Sequence, residues 1–179
     1  MAENVSDKIT IPAGIHAKYE HGDLTLTKGG KHVMKHLASP SVKVKLEGQD
    51  ITFTATNNRR LTVAVMRSFA AHLHNLIGGL EKGYTYKLAV VHSHFPMNIK
   101  IKGDVLEISN YLGEKNPRLS KIVGDTKVEI KGKDITVTGN NVEHVSQTAA
   151  NMEKATRDPK KDQRVFQDGI YITHKGATA

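Results

Sequence analysis

Residues 46–54, LEGQDITFT, return 84 positions later as residues 130–138, IKGKDITVT. The Gly, Asp, Ile and two Thr of the segments coincide, and upstream Val44 and Leu46 fall on Val128 and Ile130. In each copy apolar and polar residues alternate up to a Gly-X pair and resume beyond it. The apolar positions are Val42, Val44, Leu46, Ile51 and Phe53 in the first, and Val128, Ile130, Ile135 and Val137 in the second. Alternation puts the apolar side chains on one face, and a Gly-X pair closes a two-residue turn. Each copy therefore reads as a β-hairpin with one buried face. Weaker hairpins precede both, around Gly22-Asp23 after Ile15–Glu20 and around Gly103-Asp104 after Ile99–Lys102.

A helix follows each main hairpin. Leu61, Val65, Phe69, Leu73, Leu76 and Ile77 form one apolar stripe, with Asn57 or Asn58 as the N-cap and Gly78-Gly79 as the stop. In the second copy the stripe is Val142, Val145, Ala149 and Met152, capped by Asn140 or Asn141 and ended before Asp158-Pro159. The fold class expected is α+β, a tandem duplication of two modules, each a mostly antiparallel sheet with one helix packed on a face. The expected bounds are residues 8–82, residues 83–158, and a tail over residues 159–179 that is basic and then apolar.

The 179 residues include no Cys, which removes disulfides, thiolate nucleophiles and thiolate-bound metals. The ten histidines do not converge: His92 and His94 share a strand face without a carboxylate partner, and His72 and His74 diverge on a helix. Ser93 points away from His92 and His94 on an extended chain, and no P-loop, GxGxxG or GxSxG occurs. Gly29-Gly30 before Lys31 reads as a hairpin turn rather than a phosphate nest. No catalytic residue, metal or cofactor is expected. Apolar runs fall short of the ~18–20 residues of a membrane helix, and the polar start MAENVSDK is unlike a signal peptide, so an intracellular location is expected.

The net charge of +8 favours polyanionic partners, yet residues 1–83 and residues 84–179 each carry +4. Local distribution discriminates better. Residues 109–121, SNYLGEKNPRLSK, fit neither strand nor helix and present Lys115, Arg118 and Lys121, with Tyr111 expected as an exposed aromatic. Residues 154–179 carry Lys154, Arg157, Lys160, Lys161, Arg164 and Lys175 against three acids. Val165-Phe166 and Ile170-Tyr171-Ile172 around Asp168-Gly169 are too apolar for a disordered tail, so order is expected there.

HFPMNIKI at 94–101, NYLGEK at 110–115, VTGNNVEHVSQTAANMEKAT at 137–156 and RVFQDGIYI at 164–172 resemble the L-six family of large-subunit ribosomal proteins. The likeness is to the archaeal and eukaryotic branch, and it extends to LIGGLEKG at 76–83. The resemblance implies a non-enzymatic protein of the cytoplasmic ribosome that binds large-subunit ribosomal RNA beside the docking region of translational GTPases. It implies neighbouring ribosomal proteins as further partners, and RNA contacts through the second module and tail. The basic residues from Lys115 to Arg118 and from Lys154 to Arg164 match its motifs, while Lys121 and Lys175 fall outside them. The competing reading is a protein–protein adaptor built on paired sheet platforms.

Overall fold

A computed structural model describes residues 5–92, 95–162 and 164–177, so the readings placed on Ser93 and His94 lie outside the described residues. The chain divides into two compact units, Met1–Glu81 and Lys82–Ala179. In the N-terminal unit, β1 (Ser6–Thr10), β6 (Asp50–Ala55) and β5 (Val42–Glu47) form one antiparallel sheet in the order β1-β6-β5. A second sheet holds β2 (His16–Glu20), β3 (Asp23–Lys28) and β4 (Lys31–His36), and helix α1 (Arg60–Glu81) completes the unit.

The C-terminal unit repeats the plan and extends it. Its larger sheet has the order β11-β12-β7-β13, built from β7 (Tyr84–Val91), β11 (Lys127–Lys131), β12 (Asp134–Gly139) and β13 (Gly169–Ala177). Its smaller sheet holds β8 (Asn98–Lys102), β9 (Val105–Ser109) and β10 (Arg118–Lys121), and helix α2 (Val142–Ala155) packs against both sheets. No helix among the described residues is long and apolar enough to cross a membrane.

The repeated hairpins match residue for residue. Glu47 pairs with Asp50 across Gly48-Gln49, and Lys131 pairs with Asp134 across Gly132-Lys133. Gly48 and Gly132 have φ of +64° and +63°, values that two-residue hairpin turns need and that glycine adopts without a Cβ clash. The third strand also repeats, with Ile9 opposite Ile51 and Leu88 opposite Ile135, all buried.

Three local readings are corrected. The α1 stripe is rotated by about one residue: Thr62, Met66, Ala70, Leu73, Leu76, Ile77 and Leu80 are buried, Val65 and Phe69 are partly so, and Leu61 is 81% exposed. The helix also runs through Gly78-Gly79 to Glu81. Burial of Leu76, Ile77 and Leu80 outweighs a cost of about 1 kcal/mol per helical glycine, and Gly83, at φ +77°, follows the true end. Residues 118–121, read as irregular, form β10 because Leu106 and Ile108 offer that edge a buried partner face.

In α2 the cap is Asn141, whose side chain accepts a hydrogen bond from the Glu143 amide at 2.9 Å. The helix approaches the sheet so closely that a Cβ on Gly139 would stand 2.8 Å from Cγ2 of buried Val145. Gly139→Ala is expected to cost about 1–2 kcal/mol through overpacking, read by chemical denaturation, while an unchanged midpoint contradicts the close approach.

Candidate nucleic-acid interface

The two basic stretches meet at one guanidinium. After β9 the chain reverses through Asn110, Tyr111, Leu112 and Gly113, with φ of +62° at Asn110 and +50° at Leu112. Asparagine tolerates that region, and its Nδ2 donates to the Pro96 carbonyl at 3.1 Å. Leucine pays about 1–2 kcal/mol there, which packing of the partly buried Leu112 side chain against the core offsets.

This reversal turns Tyr111 inward, and the expectation of an exposed aromatic is corrected. Tyr111 is 3% exposed, belongs to the core, and donates its hydroxyl proton to the Asp168 carbonyl at 3.3 Å. Burial raises its pKa above the ordinary tyrosine value. It frames the site and offers no face to a nucleobase.

Arg118 opens β10 and spends its guanidinium inside the protein. Nε and Nη2 donate to the two Glu114 carboxylate oxygens at 2.8 and 2.6 Å. Nη1 donates to the Ala155 carbonyl at 3.0 Å, and the group lies 4.2 Å from the Tyr111 ring centroid. Ala155 ends α2, where carbonyls lack intrahelical partners and carry the negative end of the helix dipole. The paired guanidinium holds the Glu114 carboxyl below the usual carboxylate range, and Glu114 raises the Arg118 pKa in turn.

Beyond α2 the basic segment is folded into turns. Asp158 and Asp162 accept from the Lys160 and Arg164 amides, each at 2.9 Å, and the Lys161 ammonium sits 4.9 Å from the Phe166 ring centroid. Thr156 Oγ1 accepts the Ile170 amide at 2.9 Å, which ties the helix end to the start of β13. That strand pairs with β7 from Gly169↔Val91 to Ala177↔Tyr84, with a bulge between Ile172 and His174. A groove of about 620 Å³ runs between α2 and β13, lined by Ala150, Glu153, Lys154, Thr156, Arg157, Ile170 and Tyr171.

Lys115, Lys121, Lys154, Arg157, Lys160, Lys161, Arg164 and Lys175 are all exposed. Lys175 lies far along β13, opposite Tyr86. Two cations absent from the sequence reading join Lys121. The pairings Lys102↔Val105↔Lys121 and Lys100↔Glu107↔Leu119 put Lys100 and Lys102 on its face of the smaller sheet. Their signal was the alternation of β8, which shows only once β10 is known to be a strand. No group of three or more His, Asp or Glu placed to hold a metal occurs among the described residues.

Comparison with known proteins gives a consistent result. The family described as Ribosomal protein L6 matches residues 95–169. The large ribosomal subunit protein uL6 of Methanosarcina mazei is 40% identical over 176 residues, 98% of this chain and 99% of that protein. The uL6 of Haloarcula marismortui is 39% identical over 168 residues, 94% of each chain. The uL6 of Methanococcus vannielii is 35% identical over 175 residues, 98% of this chain and 96% of that protein. With identity at this level along nearly its whole length, the chain belongs to the family of the large ribosomal subunit protein uL6.

Proposed function

We propose that this protein is a structural constituent of the large ribosomal subunit that binds large-subunit ribosomal RNA through its C-terminal unit. The observation that carries the reading is the convergence at Arg118 of the Asn110–Pro117 connection and the α2 end, which sets the exposed cations of both stretches on one folded frame. Lys115, Lys121, Lys154, Arg157, Lys160, Lys161, Arg164 and Lys175 are the phosphate contacts, and Tyr111 and Arg118 hold the frame. Ammonium and guanidinium groups on rigid turns suit an irregular RNA backbone, so recognition is by shape rather than by base sequence. Membership of the uL6 family supports neighbouring ribosomal proteins as further partners. The family likeness of the NYLGEK and DGIYI motifs supports a position beside the docking region of translational GTPases.

Salt titration of full-length protein on large-subunit RNA tests this. Lys154→Gln/Lys160→Gln/Lys161→Gln is expected to flatten the plot of log K against log salt by about 3 units and to weaken binding roughly 30-fold. An unchanged slope in the triple variant overturns the reading. So does a ribosomal association that survives nuclease treatment, the behaviour of a protein adaptor.

A further inference from the structure

The outer face of α1 belongs to neither basic stretch, and the N-terminal unit has so far no partner. From Ile51 to Leu80 the sequence contains no Asp or Glu, while Arg59, Arg60 and Arg67 fall within that span. Arg60, Ala64, Arg67, Ala71 and His74 follow one another at steps of four and three residues, so they form a single stripe along the helix, and all five are exposed. Neither Arg60 nor Arg67 makes an ion pair among the described residues.

Folding does not account for this arrangement. A helix dipole favours acids in the first turn and bases in the last, and α2 obeys with Glu143 and Lys154. By contrast α1 has no acid in its first turn and no base in its last, and it begins on an arginine. The opposite packed side of the helix supplies its stability through Met66, Leu73, Leu76, Ile77 and Leu80. The exposed stripe adds nothing to that core.

We infer that the outer face of α1 is a second RNA-binding surface, which docks along the backbone of an RNA double helix. This inference rests on the ribosomal reading of the chain but assigns a different unit and different residues. Arg60 and Arg67 are two helical turns apart, about 10.5 Å along the axis. That separation exceeds the step between neighbouring phosphates of one strand, so the two guanidiniums meet two non-adjacent phosphates of the duplex backbone. Ala64 and Ala71 lie between the cations and let the helix approach without a bulky side chain intervening. A protein partner would call for an aromatic or aliphatic anchor within the stripe, and among the described residues the only large exposed apolar group on α1 is Leu61 at the first turn.

The test uses the full chain and large-subunit RNA. Arg60→Gln/Arg67→Gln retains helix-forming side chains at exposed positions, and circular dichroism confirms an unchanged melting temperature. The double variant is expected to flatten the salt slope by about 2 units and to weaken binding roughly tenfold. Lys43→Gln/Lys45→Gln, which removes the same charge from exposed positions of β5, is the reference and is expected to leave the slope unchanged. Equal effects in the two double variants overturn the inference, because they report bulk charge alone. An unchanged RNA slope together with loss of a nuclease-resistant protein contact also overturns it, in favour of a polypeptide partner. Repeating the α1 pair in the Lys154/Lys160/Lys161 triple background separates the two surfaces. A slope change confined to the α1 pair sinks the C-terminal reading and keeps this one, and the reverse sinks this one.

Discussion

Phe53→Ala lowers the stability of the N-terminal unit by about 3–5 kcal/mol, the expected cost of an aromatic truncation that leaves a cavity. Phe53 is fully buried in β6, and its ring meets that of Phe69 edge-on, with centroids 6.2 Å apart and planes at 66°. The aromatic contact adds to the lost burial, and the main-chain pairing of β6 with both β1 and β5 resists collapse into the void. Hydrogen exchange on the full chain reads the outcome strand by strand. Amides of β5 and β6 lose protection, whereas those of β7 and β12 keep theirs, because the two hydrophobic cores share no residue. Equal loss in both units contradicts two separate cores.

Arg118→Ala is expected to destabilise the C-terminal unit by about 2–3 kcal/mol, through the lost charged donor to the α2 end and the lost stack on Tyr111. Removal also leaves the Glu114 carboxylate without its bidentate partner and the Ala155 carbonyl without its donor. Arg118→Lys restores the charge but neither the fork nor the planar stack, so it recovers less than half of the loss. On the proposed reading, RNA affinity is expected to fall in both variants while the salt slope stays at the wild-type value, because Glu114 and the Ala155 carbonyl engage the Arg118 guanidinium. A slope reduced by about 1 unit would instead make Arg118 a direct phosphate contact.

The same pair responds to acid. The Glu114 carboxyl in the folded protein titrates below its ordinary value of 4.5, chiefly through its hydrogen bonds to Arg118. A depressed carboxylate stabilises fully above the unfolded-state value, and that contribution disappears as pH falls through the folded-state value. Glu114→Gln is expected to remove this component of the acid transition. A variant whose acid unfolding matches the wild type contradicts it.

What could be read early was whatever depends on neighbours in sequence. Alternating apolar residues around Gly48 and Gly132 define hairpins because strand side chains alternate and the turn demands positive φ at that site. The cap at Asn141 lies two residues from the amide it satisfies. The α1 stripe was less legible, since several apolar residues compete for the inner face and only the sheet beneath selects Met66 and Thr62 over Leu61. The glycines inside α1 misled for the same reason: propensity is local, and the burial that overrides it is not.

The duplicated α+β plan and the two basic stretches were therefore legible in the chain alone, because periodicity, turn chemistry and charge are local properties. Only the tertiary structure decided what those stretches are. Residues 118–121 became a strand because β9 offered an edge, and part of the supposed tail became β13 because β7 offered another. Tyr111 was drawn inward by a partner 57 residues away, and Arg118 was engaged by a carbonyl 37 residues away. No window of sequence contains those pairs, so a tyrosine and an arginine that read as exposed contacts are engaged within the C-terminal unit, while the flanking lysines stay exposed.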